Sequence, residues 1–185
     1  MNMTSVAIIL YEMSESDLSQ INDVIFASIN YFFDNVKIKI INSTLPSSVI
    51  NTHRGQINAE EIIQSLSKNS ELNDSDLNIG LTKQDIYYKN MNHIFGLAQT
   101  NGKNLALSTF RLERDLHLNI VSPNLYQERV FKELLHELGH ISGLSHCELN
   151  TCVMSFSSNV AQVDIKLPMF CKNCNDVISY NNTGR

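Results

Sequence analysis

Apolar positions recur along this chain with two periods. Residues 5–11, SVAIILY, form an apolar, partly β-branched run of the length of a buried strand. Leu18, Ile21, Val24, Ile25, Ile29 and Phe32 then fall at helical spacing and predict one helix over about residues 15–33. Ser14 or Ser16 is its candidate cap, because acidic residues follow in the first turn. Residues 36–41, VKIKII, alternate and predict a second strand. Ala59, Ile62, Ile63 and Leu66 share one face of a predicted helix over residues 58–67. Short strands are predicted at 76–81 and 92–98, the latter followed by TNGKN. Its Asn101-Gly102 pair predicts a hairpin, since both residue types tolerate positive φ; residues 105–112 are the partner strand.

Ser122 and Pro123 open the next helix, as a cap and a first helical residue. Val130, Leu134, Leu138 and Ile141 supply its apolar face, and it should end near Gly143. Beyond that point both periods fade. The last stretch of about forty residues reads as loop with short helical pieces. A tail so poor in core positions needs another source of order.

Composition narrows the class. A chain of 185 residues, 43% hydrophobic and 18% charged, can bury a core and reads as one domain. The expected division is an upper lobe over about residues 1–143 and a lower lobe over 144–185. A net charge of −5 with no basic run argues against a nucleic-acid binder and against binding to anionic membranes. The first residues carry no basic leader, and no apolar run is long enough to span a membrane. A cytoplasmic protein is expected, and in a reducing compartment four cysteines point to metal more than to disulfides.

The chemistry concentrates in HELGHISGLSHC, residues 136–147, which holds three of the six histidines. Residues four apart on a helix face one way, so His136 and His140 can chelate one ion. Glu137 sits beside the first ligand, where its carboxylate can reach a metal-bound water without being a ligand itself. Gly143 can turn the chain at the helix end and swing His146 back as a third ligand. Three protein ligands leave one position open, the arrangement of a catalytic zinc. Glu148 and Asp164 are rival third ligands. Neither accounts for Gly143; Glu148 reads as a solvated loop residue and Asp164 as a local cap or a partner near Lys166.

All four cysteines follow. Cys147 and Cys152, then Cys171 and Cys174, form C-x4-C and C-x2-C pairs. Such spacings suit a closed, structural zinc with four thiolate ligands, which would also order the tail. Two disulfides or free buried thiols are the alternatives. His146 and Cys147 would then belong to different metals joined by one peptide bond.

His136, Glu137, His140, Gly143 and His146 resemble the metzincin signature. With Cys147, Cys152, Met154, Cys171 and Cys174, the pattern is similar to that of the archaemetzincins, or archaelysins. Its spacer between Met154 and Cys171 is sixteen residues here, about one shorter than the usual form. RGQINAEEII, NHIFGLA and LSTFRLER extend the resemblance upstream. It implies an α/β (α+β) zincin-like fold, with a twisted, mixed five-stranded sheet and an active-site helix over a small C-terminal lobe. It places Met154 in a Met-turn beneath the catalytic zinc, as a hydrophobic base and not a ligand. It makes residues 92–98 the antiparallel edge strand of the cleft, with Phe95, Gly96 and Leu97 facing an extended substrate.

The function expected is zinc-dependent peptide hydrolysis by a monomer carrying two zinc ions, with Glu137 as general base and then acid. His53, His93, Tyr87, Tyr88 and Arg111 are polar but read as surface or structural residues. Two rivals remain. One is a zinc-containing peptide-binding protein with little hydrolysis, for which Glu137 would be superfluous. The other is a nucleic-acid or protein adaptor, for which Lys166 and Lys172 are too few basic residues between Cys147 and Cys174.

Overall fold

The computed structural model describes residues 3–46 and 49–183. Strand β1 (Thr4–Tyr11) runs through the middle of a sheet. Its alternation sends Val6, Ile8 and Leu10 to one face and Ala7, Ile9 and Tyr11 to the other, and all six are at most 1% exposed. It pairs in parallel with β2 (Val36–Ser43) and with β5 (Leu77–Thr82). β5 pairs in parallel with β8 (Asn104–Ser108), which in turn holds β7 (Gly96–Ala98) antiparallel at the edge. The order β2-β1-β5-β8-β7 is the mixed five-stranded sheet that the resemblance implied.

Helices cover both faces, so a sheet of this apolar composition stays out of water. Helices α1 (Glu15–Ser19), α2 (Asn22–Asn30) and α4 (Pro123–Ile141) pack on the Val6, Ile8 and Leu10 side. Helix α3 (Ala59–Lys68), capped by Asn58, buries Ala59, Ile62, Ile63 and Leu66 on the other. Each large aliphatic side chain removed from water in these layers contributes about 1.5–3 kcal/mol.

Some elements differ from the periodic reading. The helix expected over residues 15–33 is two: α1, closed by a Ser14–Asp17 capping box, and α2. The backbone tightens between them, with Ile21 N–H donating to the Leu18 carbonyl at 3.0 Å. That step keeps Leu18 and Ile21 both inward, so the apolar period survives the break. The strand expected over 92–98 pairs only at Gly96–Ala98. Ile94 bridges instead to Ile86, and the Asn92 carbonyl accepts from Arg54 and Gln56. Those contacts belong to a small second sheet of β3 (Ile50–Asn51), β4 (Gln56–Asn58) and β6 (Ile86–Tyr87), which the periodicity did not predict. In the hairpin after β7, Asn101 takes the positive φ, at 55°.

The tail is more ordered than its pattern promised. It contains α5 (Val160–Ile165) and the twelve-residue α6 (Lys172–Thr183). Leu144, Val153, Met154, Phe170, Cys174 and Ile178 form a core of their own against Leu135 of α4. These apolar residues are too far apart in sequence to show a period, yet they converge under one helix.

Two metal groups and a cleft

Helix α4 carries the first histidine pair. Ser122 caps it, with Oγ accepting from Leu125 N–H at 3.4 Å, and Pro123 starts it. The Nδ1–H of His136 donates to the Val153 carbonyl at 2.8 Å, and that of His140 to the Leu144 carbonyl at 2.7 Å. A carbonyl only accepts, so both imidazoles are held as the tautomer with a bare Nε2. These two Nε2 atoms face each other at 3.1 Å. Two lone pairs at that distance repel unless a cation lies between them. Two zinc ligands with bonds of about 2.0–2.1 Å in tetrahedral geometry would lie about 3.4 Å apart, close to what is found.

Gly143 makes the expected turn, with φ of 91°. The turn does two things at once. It presents the Leu144 carbonyl to His140 and returns His146 over the helix, with ring centroids 5.2 Å from His136 and 4.9 Å from His140. Ligand atoms of all three lie within 4.8 Å of one another. Neither rival joins them. Glu148 is exposed, and Asp164 takes both Nε and Nη2 of Arg129 at 2.7 Å. The expected pairing of Asp164 near Lys166 is therefore replaced by a buried Arg129 from α4. Lys166 goes instead to Glu133 at 2.9 Å, both essentially buried.

Burial dominates the electrostatics. It lowers the pKa of His140 and His146 and holds His136 well below the imidazole range, with the Lys166 ammonium adding to the effect. It pushes the buried Glu137 carboxyl well above the usual carboxylate range; Glu133 adds to this and Lys166 opposes it. A dication among the histidines acts in the opposite sense on that carboxyl.

The cysteines form the second group. Cys147 and Cys171 Sγ lie 3.8 Å apart, as do Cys152 and Cys174, and all four sulfurs are within 4.8 Å. A disulfide needs about 2.05 Å. A tetrahedron of Zn–S bonds of about 2.3 Å has edges of about 3.8 Å, which is the spacing present. Backbone N–H of Cys174 holds the Cys171 thiol down to about 7, as suits a sulfur at the start of α6. Burial pushes Cys152 and Cys174 up.

A cleft of about 300 Å³ opens over the histidines between α4 and β7. Glu137, Phe95, Gly96 and Leu97 all line it. Tyr88, read from the sequence as a surface or structural residue, lines it too, as do Met91, Phe156 and Ser157, which no motif signalled. Ser157 Oγ is buried there without a hydrogen-bond partner among the described residues. Arg111 is structural, gripping Asp85 at 2.8 and 2.6 Å. Met154 is fully buried and lies against Gly139, one residue from His140. The histidine group fits a catalytic zinc and the cysteine group a structural one.

Known proteins agree with this arrangement. Residues 3–179 match peptidase family M54. The archaemetzincin of Haloquadratum walsbyi is 38% identical over 138 residues, covering 73% of this chain and 78% of that protein. The crystal structure of archaemetzincin from Methanopyrus kandleri superposes with a TM-score of 0.87 at 34% identity, covering 98% of this chain and 96% of that one. The archaemetzincin of Archaeoglobus fulgidus, solved with malonate, gives 0.76 at 32% identity, covering 94% and 99%. With a histidine group and a cysteine group both assembled, this chain belongs to peptidase family M54, the family of the archaemetzincins, and is a zinc-dependent peptidase.

Proposed function

We propose that the cleft hydrolyses peptide bonds in a peptide or protein substrate, a reaction of the EC 3.4 class. The observation that carries this is the pair of bare Nε2 atoms at 3.1 Å, beside a buried carboxylate, in a cleft walled by an edge strand. His136, His140 and His146 would hold the catalytic zinc; Cys147, Cys152, Cys171 and Cys174 would hold the structural one. Zinc held there would supply Lewis acidity, lowering the pKa of a bound water towards about 7 and polarising the scissile carbonyl. Glu137 takes the proton of the attacking water and returns one to the leaving amine. The substrate lies extended along Phe95, Gly96 and Leu97, where β7 has one edge without a strand partner among the described residues. Met154 serves as the hydrophobic base, supported by its burial against the active-site helix. Residues 144–185 act as the lower lobe of a single catalytic domain. Thiols kept as zinc ligands suit a reducing compartment such as the cytoplasm.

The test is mass-spectrometric analysis of a mixed peptide library incubated with zinc-loaded protein, with Glu137→Ala in parallel. Cuts made by the wild type alone are expected, and their positions report end- or interior-cutting. No cuts from either protein, with zinc bound in both, would favour a peptide-binding role. Equal cutting by both would remove Glu137 from the mechanism.

A further inference from the structure

Strand β7 brings Gly96 against the flank of Glu137. A Cβ on Gly96 would lie 2.5 Å from Glu137 Oε1, 2.6 Å from Cγ and 2.7 Å from Cδ. Cβ atoms essentially never make contacts so short, so a side chain at 96 requires Glu137 or β7 to shift. Glu137 is 4% exposed and lines the cleft, so any shift on its part moves the carboxylate within the site.

The backbone itself does not call for glycine here. Gly96 pairs with Leu107 in a regular antiparallel ladder, and its φ is not in the left-handed region. Glycine in a strand gives up packing and conformational entropy, so alanine would be neutral or better were space available. The need is spatial, and what fills the space is the carboxylate of the general base.

We propose that Gly96 is a positioning residue: by lacking a side chain, it lets the edge strand seat the Glu137 carboxylate at the cleft wall. This rests on the role given to Glu137 above. A methyl group at 96 must either rotate Glu137 or push β7 outward. Both move the carboxylate relative to His136 and His140. A displacement of about 1 Å at a reacting group costs about 10²-fold in rate.

The experiment uses the full zinc-loaded chain and a peptide that the wild type cuts. Gly96→Ala is measured for zinc content, kcat and KM, alone and combined with Glu137→Ala, beside Glu137→Gln. The expected result is a kcat lower by about 10²-fold, KM within about threefold, and both zinc ions retained. In the Glu137→Ala background, which removes Cγ, Cδ and Oε1, Gly96→Ala should change the residual kcat by less than about threefold. An equal loss in both backgrounds, or no loss in kcat, would overturn the proposal. If Glu137→Gln is inactive while Gly96→Ala is unimpaired, the base assignment stands and only the positioning role falls. If Glu137→Gln is fully active, both fall. Should Gly96→Ala be too unstable for kinetics, melting temperatures decide. A Gly96→Ala/Glu137→Ala protein that melts as high as Glu137→Ala supports the contact, and one that melts as low as Gly96→Ala overturns it.

Discussion

Gly139 stands in the last turn of α4, a helical position at which alanine is the better helix former. The reason is Met154, whose Sδ occupies the place of a Gly139 Cβ, with Phe170 Cε1 3.1 Å from it. Gly139→Ala should therefore lower the melting temperature instead of raising it; a more stable variant would refute the packing reading. Glu137→Gln keeps the shape but loses the base, and should reduce kcat by about 10²–10⁴-fold with zinc retained. The histidines set a pH dependence. Burial lowers their folded pKa values, so below about 6.5 the unfolded chain binds protons that the folded chain refuses. The histidine contribution to the stability of the metal-free protein should fall as pH drops through that window, opposed by Glu137, whose raised pKa acts in the other sense. His136→Gln should flatten the slope in thermal melts between pH 7.5 and 5.

At the scale of elements, α4 is unusual in burying charge. Arg129, Lys132 and Glu133 are at most 3% exposed, and each meets the segment around α5. Arg129 grips Asp164, Lys132 reaches the Val163 and Asp164 carbonyls, and Glu133 takes Lys166. These contacts fasten the tail to the helix that carries His136 and His140. Lys166→Met leaves the Glu133 carboxylate buried and alone, and should cost about 3–5 kcal/mol in denaturant unfolding. Adding Glu133→Leu should recover most of that. A cost of less than about 1 kcal/mol for Lys166→Met would show that the pair is not a fastening.

Across the whole molecule, the two metal groups share a short piece of chain. His146 and Cys147 are adjacent, Cys147 N–H donates to the Met154 carbonyl, and the Val153 carbonyl orients His136. The loop ordered by the cysteines thus holds one histidine ligand and aims another. Cys171→Ser should weaken zinc binding at the histidines by about 10–100-fold, as loss of an orienting partner does. Competition with a chelator measures this, and an unchanged affinity would mean the two sites are independent.

What the sequence determined by itself was local. A 3.6-residue period placed α3 and α4, an apolar, β-branched run placed β1 and a two-residue period placed β2, because each is a property of neighbouring residues. His136, Glu137 and His140 were legible because their spacing is one helical turn, and Gly143 because only the turn explains it. The four cysteines announced themselves as paired spacings. The tertiary structure alone decided what depends on distant partners. The carbonyls of Val153 and Leu144 that fix the histidine tautomers are backbone groups, which no residue type signals. Lys166 meets Glu133 across 33 residues of chain, and Gly96 meets Glu137 across two elements that only the sheet brings together. The small second sheet rests on strands of two or three residues, too short to show a period. Periodicity and spacing record which way a side chain points, while the fold decides what it finds there.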